Sequence, residues 1–204
     1  MTGVQTCALP IFDNPEGLGA ELYRNYVDIW YNDGNQSTLS GTLTANTILD
    51  AASGPWQVTG DVVIPTGITL TIESRTTLFF DSGTGITVNG QLLAEGSEFA
   101  RIRMTRLPGG SSWDGIKFSN TLSDNRLSFV DMEYGDSQGK SINIQSSRVL
   151  LDNMTWVSTG GTTQILDMSH PSALITHCIF PTVGGIETVR SEEHTSELQS
   201  PNTI

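Results

Sequence analysis

Lysine is almost missing from this chain. Lys117 and Lys140 are the only two among 204 residues, and Asp, Glu, Lys and Arg together make up just 16%. The charge that is present is lopsided, with a formal net charge of −12. Such a surface would repel phosphate rather than release its counterions, which argues against nucleic acid and anionic membrane as partners. No apolar run approaches the roughly 20 residues of a membrane span. Cysteine is scarce too: Cys7 and Cys178 raise the question of one disulfide. Gly, Thr, Ser and Asn are plentiful, a mix that suits turns and β-structure better than helices. The length suffices for one or two domains with a sizeable core.

The two ends stand apart from the rest. MTGVQTCALPI (1–11) opens the chain and RSEEHTSELQS (190–200) nearly closes it. Both resemble translated sequencing-library adapter, read on opposite strands of one synthetic oligonucleotide with a GTG start codon translated as Met. PNTI (201–204) then reads as read-through. On this resemblance 1–11 and 190–204 are not native and are set aside from fold reasoning. The remaining chain, Phe12 to Val189, loses Arg190, Glu192, Glu193 and Glu197. That leaves 9 basic (10 minus 1) and 19 acidic residues (22 minus 3), a net charge of −10. Cys7 goes with the first segment, so Cys178 has no intrachain partner.

Residues 12–40 read as a short helix followed by a linker. Asn14 can cap, Pro15 fits the first helical position, and Glu16 suits the positive end of the dipole. Leu18, Leu22, Tyr26, Ile29 and Trp30 share one helical face, and Gly34 is a natural stop. NQSTLSG (35–41) reads as linker.

From 41 to 189 the strands are short and repeat. TGIT occurs at 66–69 and again at 84–87, an offset of 18. A longer repeat stacks RLSFVDMEY (126–134), VLLDNMTW within 148–156, and ALITHCIF within 172–180, at offsets of 22 and 24. Its columns are Leu127–Val149–Ala173, Phe129–Leu151–Ile175, Met132–Met154–Cys178 and Tyr134–Trp156–Phe180. The alternation of apolar residues breaks once in each row, at Asp131, Asn153 and His177. A single break in a flat strand would turn its second half outward. A corner keeps both halves inside, and Asn, Asp and His are the non-Gly residues most often found at positive φ. Two strands and a bend per row, with a further strand between rows, predict an all-β parallel solenoid of about six coils. An antiparallel sandwich is the competing architecture.

GDVVIPTGITLTIESRTTLFFDSGTGITVNGQLLAEGSEFARIRMTR (60–106), followed by SSWDGIKF (111–118), resembles the right-handed parallel β-helix proteins of the bacterial pectate-lyase-like superfamily. The resemblance extends over roughly residues 41–180. It implies a right-handed β-helix from a secreted or cell-surface protein, and an extracellular location. It implies little about activity, because the superfamily spans polysaccharide lyases, hydrolases, phage tailspikes and non-catalytic segments. The Asp131–Asn153–His177 column resembles that superfamily's asparagine-ladder corner.

The chemistry-bearing residues are few. Asp131, Glu133 and Asp136 cluster in DMEYGD, with Asp114 and Asp124 nearby in sequence. Paired carboxylates would serve glycoside hydrolysis, and the superfamily's lyases bind Ca²⁺ through carboxylates. Asp131 and Glu133 are therefore the catalytic candidates of an enzyme reading, with Ca²⁺ as its possible cofactor; a corner Asp and a solvated Glu is the structural reading. Trp113, in SSWDG, is the candidate for stacking on a sugar, with core packing the alternative. Asp114 and Asp136 complete a candidate binding set. Arg101, Arg103 and Arg106 read as an outward strand face balanced by Glu95 and Glu98, or else as an anion-binding stripe. His170 and His177 lack metal-ligand spacing, so no metal site is expected. Cys178 falls on an inward column and reads as a small hydrophobe. Phosphate loops, dinucleotide fingerprints and Ser-centred elbows do not occur. The leading expectation is a non-catalytic segment of a larger secreted or surface protein, acting as a rigid spacer or a surface for polysaccharide or for other domains of its parent chain. The alternative is a fragment of a polysaccharide lyase or hydrolase.

Overall fold

The computed structural model describes residues 37–157, 164–181 and 189–192. The helix expected after Asn14 and the segment 1–11 lie outside these residues, as does 193–204. Within them every element is a strand. In chain order they are β1 (Ser37–Thr42), β2 (Thr47–Leu49), β3 (Trp56–Ile64), β4 (Thr69–Ile72), β5 (Thr77–Phe80) and β6 (Gly85–Val88). Next come β7 (Gln91–Glu95), β8 (Ile102–Arg106), β9 (Gly115–Ser119), β10 (Asn125–Ser128), β11 (Val130–Glu133) and β12 (Lys140–Gln145). The chain ends with β13 (Arg148–Asp152), β14 (Thr155–Val157), β15 (Gln164–Ser169), β16 (Ser172–Thr176) and β17 (Val189–Glu192).

Every pairing between these strands is parallel. They build a three-sided coil. Face one carries β14-β11-β8-β5 and the first part of β3. Face two carries the last part of β3, then β6-β9-β12-β15-β17. Face three is the separate sheet β16-β13-β10-β7-β4-β2. Six strands on face three are separated by five full turns, so the coil climbs about 24 Å at ~4.8 Å per turn. β1 begins at Ser37 and pairs with β3, so residues 37–40, expected as linker, already belong to the solenoid. The expected strand pairing and stacking direction hold; the sandwich does not.

The core consists of inward columns, one residue per turn. On face two they are Val62–Ile86–Ile116–Ile142–Leu166 and Ile64–Val88–Phe118–Ile144–Met168, all buried. On face three Ile72, Ala94, Leu127 and Leu151 follow one another, with Ile175 partly buried at the end. Each fully buried aliphatic contributes roughly 1.5–3 kcal/mol, and none of it is available to a single turn.

The register corrects one row of the repeat. Leu127 lies opposite Leu151, and Leu151 opposite Ile175. The offsets are therefore 24 and 24, where 22 and 24 were expected. Phe129 is not stacked on Leu151; it sits at the corner with φ 51, in line with Asn153 (φ 51) and His177 (φ 53). Asp131 is not a corner residue. It lies one step further on, beside Arg103 and Thr155 on face one. Met132 pairs with Trp156, which stacks on Phe180 at 4.8 Å between centroids. A shift of two residues leaves every side chain on the same face, so alternation alone cannot separate 22 from 24. The two TGIT strings also lie on different faces, β4 on face three and β6 on face two, so their offset of 18 is not a turn.

The corner does not carry the expected side-chain ladder. The buried amide with that kind of work is Asn125, 1% exposed, at another corner. Its Oδ1 accepts from the Leu92 N–H at 2.8 Å, and its Nδ2 donates to the carbonyls of Ser123 at 2.9 Å and Arg148 at 3.1 Å. It thereby joins three successive turns. Asn125→Leu keeps the volume but orphans a buried N–H and two carbonyls. It should lower the denaturant-unfolding free energy by about 1–3 kcal/mol; an unchanged midpoint would show that water replaces the amide.

Candidate functional site

Asp131 and Glu133 point outward from face one, alternating with the inward Val130 and Met132, yet each is only 4% exposed. Both are held by the preceding turn. Arg101 Nε donates to Asp131 Oδ1 at 2.9 Å, and Arg101 Nη2 donates to the Asn153 carbonyl at 2.8 Å. Thr155 Oγ1 donates to the same Asp131 oxygen. Arg103 donates twice to Glu133 Oε2, from Nε at 3.1 Å and Nη2 at 2.8 Å. The arginines are thus balanced by Asp131 and Glu133 rather than by Glu95 and Glu98; Glu95 instead meets Arg126 at 3.6 Å. The reach of an Arg side chain spans one strand spacing, which is why the partner sits a turn away instead of along the strand. Arg106, expected on the same outward face, does not share that row: it has the parity of Ile102 and Met104, lies opposite Phe80, and places its guanidinium 4.0 Å from the Tyr134 ring centroid.

Trp113 is fully buried, so it offers no face to a sugar. The long loop 107–114 between β8 and β9 carries it inward. Its ring stacks on Phe80 at 3.8 Å between centroids and 11° between planes, and its indole N–H donates to the Glu133 carbonyl at 2.8 Å. Gly135 makes the room: a Cβ there would sit 2.7 Å from the indole. Asp136 is 4% exposed and lies in the same tight region, in the loop after β11. The expected set of Trp113, Asp114 and Asp136 therefore divides, with two members inside the protein.

Asp114 is the member at the surface. It lines a shallow groove of about 320 Å³ across the outside of face two, with Asp61, Thr87, Lys117, Gln138, Lys140 and Asn143. Gln138 Nε2 donates to Asp114 Oδ2 at 3.3 Å, and Ser137 Oγ donates to Oδ1. Asp61 Oδ1 accepts from the Gly85 N–H at 3.0 Å. Lys140 is paired with Asp167, while Lys117 is exposed. Gly85 and Gly115 form the groove's floor at one end. Gly115 has φ 81, and a Cβ there would lie 2.3 Å from the Ser141 carbonyl oxygen. The groove thus collects both lysines of the chain and a set of carboxylates, amides and a hydroxyl suited to hydroxyl-bearing ligands.

Sequence reasoning missed Lys117, Lys140 and Asn143. The signal existed: Thr87, Lys117, Asn143 and Asp167 form one outward column. Their steps are 30, 26 and 24 residues, so no constant offset reveals them. The 30-residue step is the loop that carries Trp113.

Cys178, His170 and His177 do not line the groove. Cys178 is half-buried against the core, burial pushes its thiol pKa up, and its Sγ–H donates to the Thr176 carbonyl at 3.2 Å. His177 approaches Asp152 at 3.0 Å, and His170 is exposed in the turn before β16. Among the described residues no group of three or more His, Cys, Asp or Glu converges, and no helix is long and apolar enough to cross a membrane. Set against family models, curated proteins and solved structures, the chain finds no match in any of the three.

Proposed function

We propose that this chain is a non-catalytic β-solenoid segment of a larger secreted or cell-surface protein, a rigid spacer whose second face binds polysaccharide. One observation carries the reading. The two carboxylates that an enzyme would need, Asp131 and Glu133, are buried and held by guanidinium groups, whereas the open polar groove lies on another face. A buried, paired carboxylate neither reaches a glycosidic oxygen nor offers Ca²⁺ a free oxygen set; a cation would have to displace Arg101 or Arg103 first. The membership in a pectate-lyase-like superfamily, the extracellular location and the foreign origin of 1–11 and 190–204 belong to this proposal and rest on the sequence resemblances.

Binding to immobilised pectin and neutral glucans, with and without Ca²⁺, tests it. Retention by at least one polysaccharide is expected. Lys117→Ala with Asn143→Ala should weaken it about tenfold, the loss of one or two charge-assisted contacts, with no shift in thermal midpoint. Release of product from pectin, abolished by Asp131→Ala, would replace this reading with the lyase or hydrolase one.

A further inference from the structure

The outward residues of face three line up across the turns. Register places Ile48 beside Thr71, Thr71 beside Leu93, Leu93 beside Arg126, Arg126 beside Leu150 and Leu150 beside Leu174. Most of this column is aliphatic. The corresponding column of face two has one aliphatic, Val63, before Thr87, Lys117, Asn143 and Asp167. Ile48 and Leu174 are 59% and 60% exposed, and Leu93 and Leu150 are half-buried. Around Leu150 and Leu174 the surface dips into a groove of about 320 Å³, walled by Asp124, Arg126 and Arg148. Single exposed leucines are ordinary on a protein surface, whereas an aligned set beside a groove marks a contact. The charges that flank the stripe alternate in sign: Arg148 meets Asp124 at 3.2 Å and Arg126 meets Glu95 at 3.6 Å.

We infer that this face docks a second copy of the chain, packed face to face across a two-fold axis that runs along the strands between β10 and β13. Such an axis keeps the strand direction and reverses the order of turns, and the same patch serves both copies. It lays Leu93 on the second copy's Leu174, and Leu150 on the methylene stem of its Arg126. It sets Asp124 against the second copy's Arg148, and Arg148 against its Asp124, which closes a ring of four alternating charges. Like charges do not meet in the flanking column either: Glu95 faces Thr176, and Asp152 faces Ser128. The other two-fold centred on this stripe, along the solenoid, would set Arg126 against its own copy and is disfavoured. The four strands β7, β10, β13 and β16 present a flat area of roughly 16 by 19 Å, about 300 Å² per copy, well below the ~800 Å² per partner of a standard interface. The formal charge of −12 on each copy also opposes contact. The dimer is therefore weak and depends on concentration. This inference uses face three and not the face-two groove, so it and polysaccharide binding can fail separately.

Sedimentation of the full chain under reducing conditions tests it, from about 10 μM to about 1 mM, a span that brackets weak dissociation constants. In ~0.15 M salt, where charge repulsion is screened beyond ~8 Å, a monomer–dimer equilibrium is expected. Leu174→Asp should weaken it at least tenfold without moving the thermal midpoint of the dilute protein, because Leu174 is exposed. Asp124→Arg alone and Arg148→Asp alone should each weaken it at least tenfold too, by placing like charges opposite one another. The two charge variants mixed in equal amounts should associate again about as tightly as the unaltered chain, because each then meets the opposite sign. A chain that stays monomeric throughout overturns the proposal. So does association that ignores Leu174→Asp, or a mixture that associates no better than either variant alone. A monomer whose retention on polysaccharide falls with Leu174→Asp would give the face to a glycan instead.

Discussion

Arg103→Ala is expected to destabilise the solenoid by about 3–5 kcal/mol, the usual cost of removing one partner from a buried ion pair. The Glu133 carboxylate is 5% exposed and takes two hydrogen bonds from Arg103, at 3.1 and 2.8 Å. Without the guanidinium, a nearly buried negative charge loses its cationic partner. The same cost is not expected for removing the pair. Arg103→Met with Glu133→Leu replaces both ions by apolar groups of similar volume, and such exchanges are often neutral. The double variant should therefore recover most of the loss in urea unfolding, leaving a coupling of at least 2 kcal/mol between the sites, at the upper end for contacting residues. Equal losses in the single and double variants would mean that Arg103 acts through its packing alone. Arg101→Ala should behave similarly with respect to Asp131, less severely because Thr155 also donates to that carboxylate.

That cross-turn pairing shows what a sequence of this kind hides. The architecture was legible. The inward positions alternate, the alternation breaks once per row, and Asn153 and His177 at the breaks adopt the positive φ that their residue types favour. Face is encoded by parity, and parity survives a two-residue error. Register is not encoded that way. Phe129, a residue type with no taste for positive φ, occupies the corner that Asp131 was expected to hold, and the whole row moves by one pleat. Every outward contact depends on that register. The sequence offers Glu95 and Glu98 as the nearest balance for Arg101, Arg103 and Arg106; with Asp131 beside Arg103 on face one, the ion pairs to Asp131 and Glu133 follow directly.

The groove was hidden for a related reason. Turns of a solenoid lengthen by inserting residues at corners, where the backbone is already outside the ladder. The loop 107–114 adds such residues between β8 and β9, and the step from Ile86 to Ile116 becomes 30 residues. Lys117 and Asn143 are then 26 apart, while Thr87 and Lys117 are 30 apart, although all three stand in one column. A reader looking for a fixed period passes over them. Asp114 stands out in the sequence as a carboxylate near DMEYGD and beside Trp113, and the structure separates the pair: Trp113 is buried and Asp114 lines the groove.

That same loop yields the last large effect. Trp113→Ala should cost about 3–5 kcal/mol, the range for truncating a buried aromatic, which is a substantial part of the 5–15 kcal/mol that holds a typical domain together. Loops belong at the surface because their backbone groups need partners. This one buries a tryptophan because the column above Phe80 has no inward residue to continue it: Phe80 pairs with Arg106, whose side chain turns to Tyr134. The indole fills that place from the side, stacked at 3.8 Å on Phe80 with its N–H satisfied by the Glu133 carbonyl. Truncation would leave a cavity between two turns and an unpaired carbonyl. Trp113→Phe separates these contributions. It keeps an aromatic on Phe80 and loses the N–H, so it should cost only about 1–2 kcal/mol. Guanidinium unfolding of both variants decides the matter. Near-equal losses would place the stabilisation in the hydrogen bond and take it away from the ring, whereas a loss below 1 kcal/mol for Trp113→Ala would mean that the loop is a surface ornament and the core closes without it.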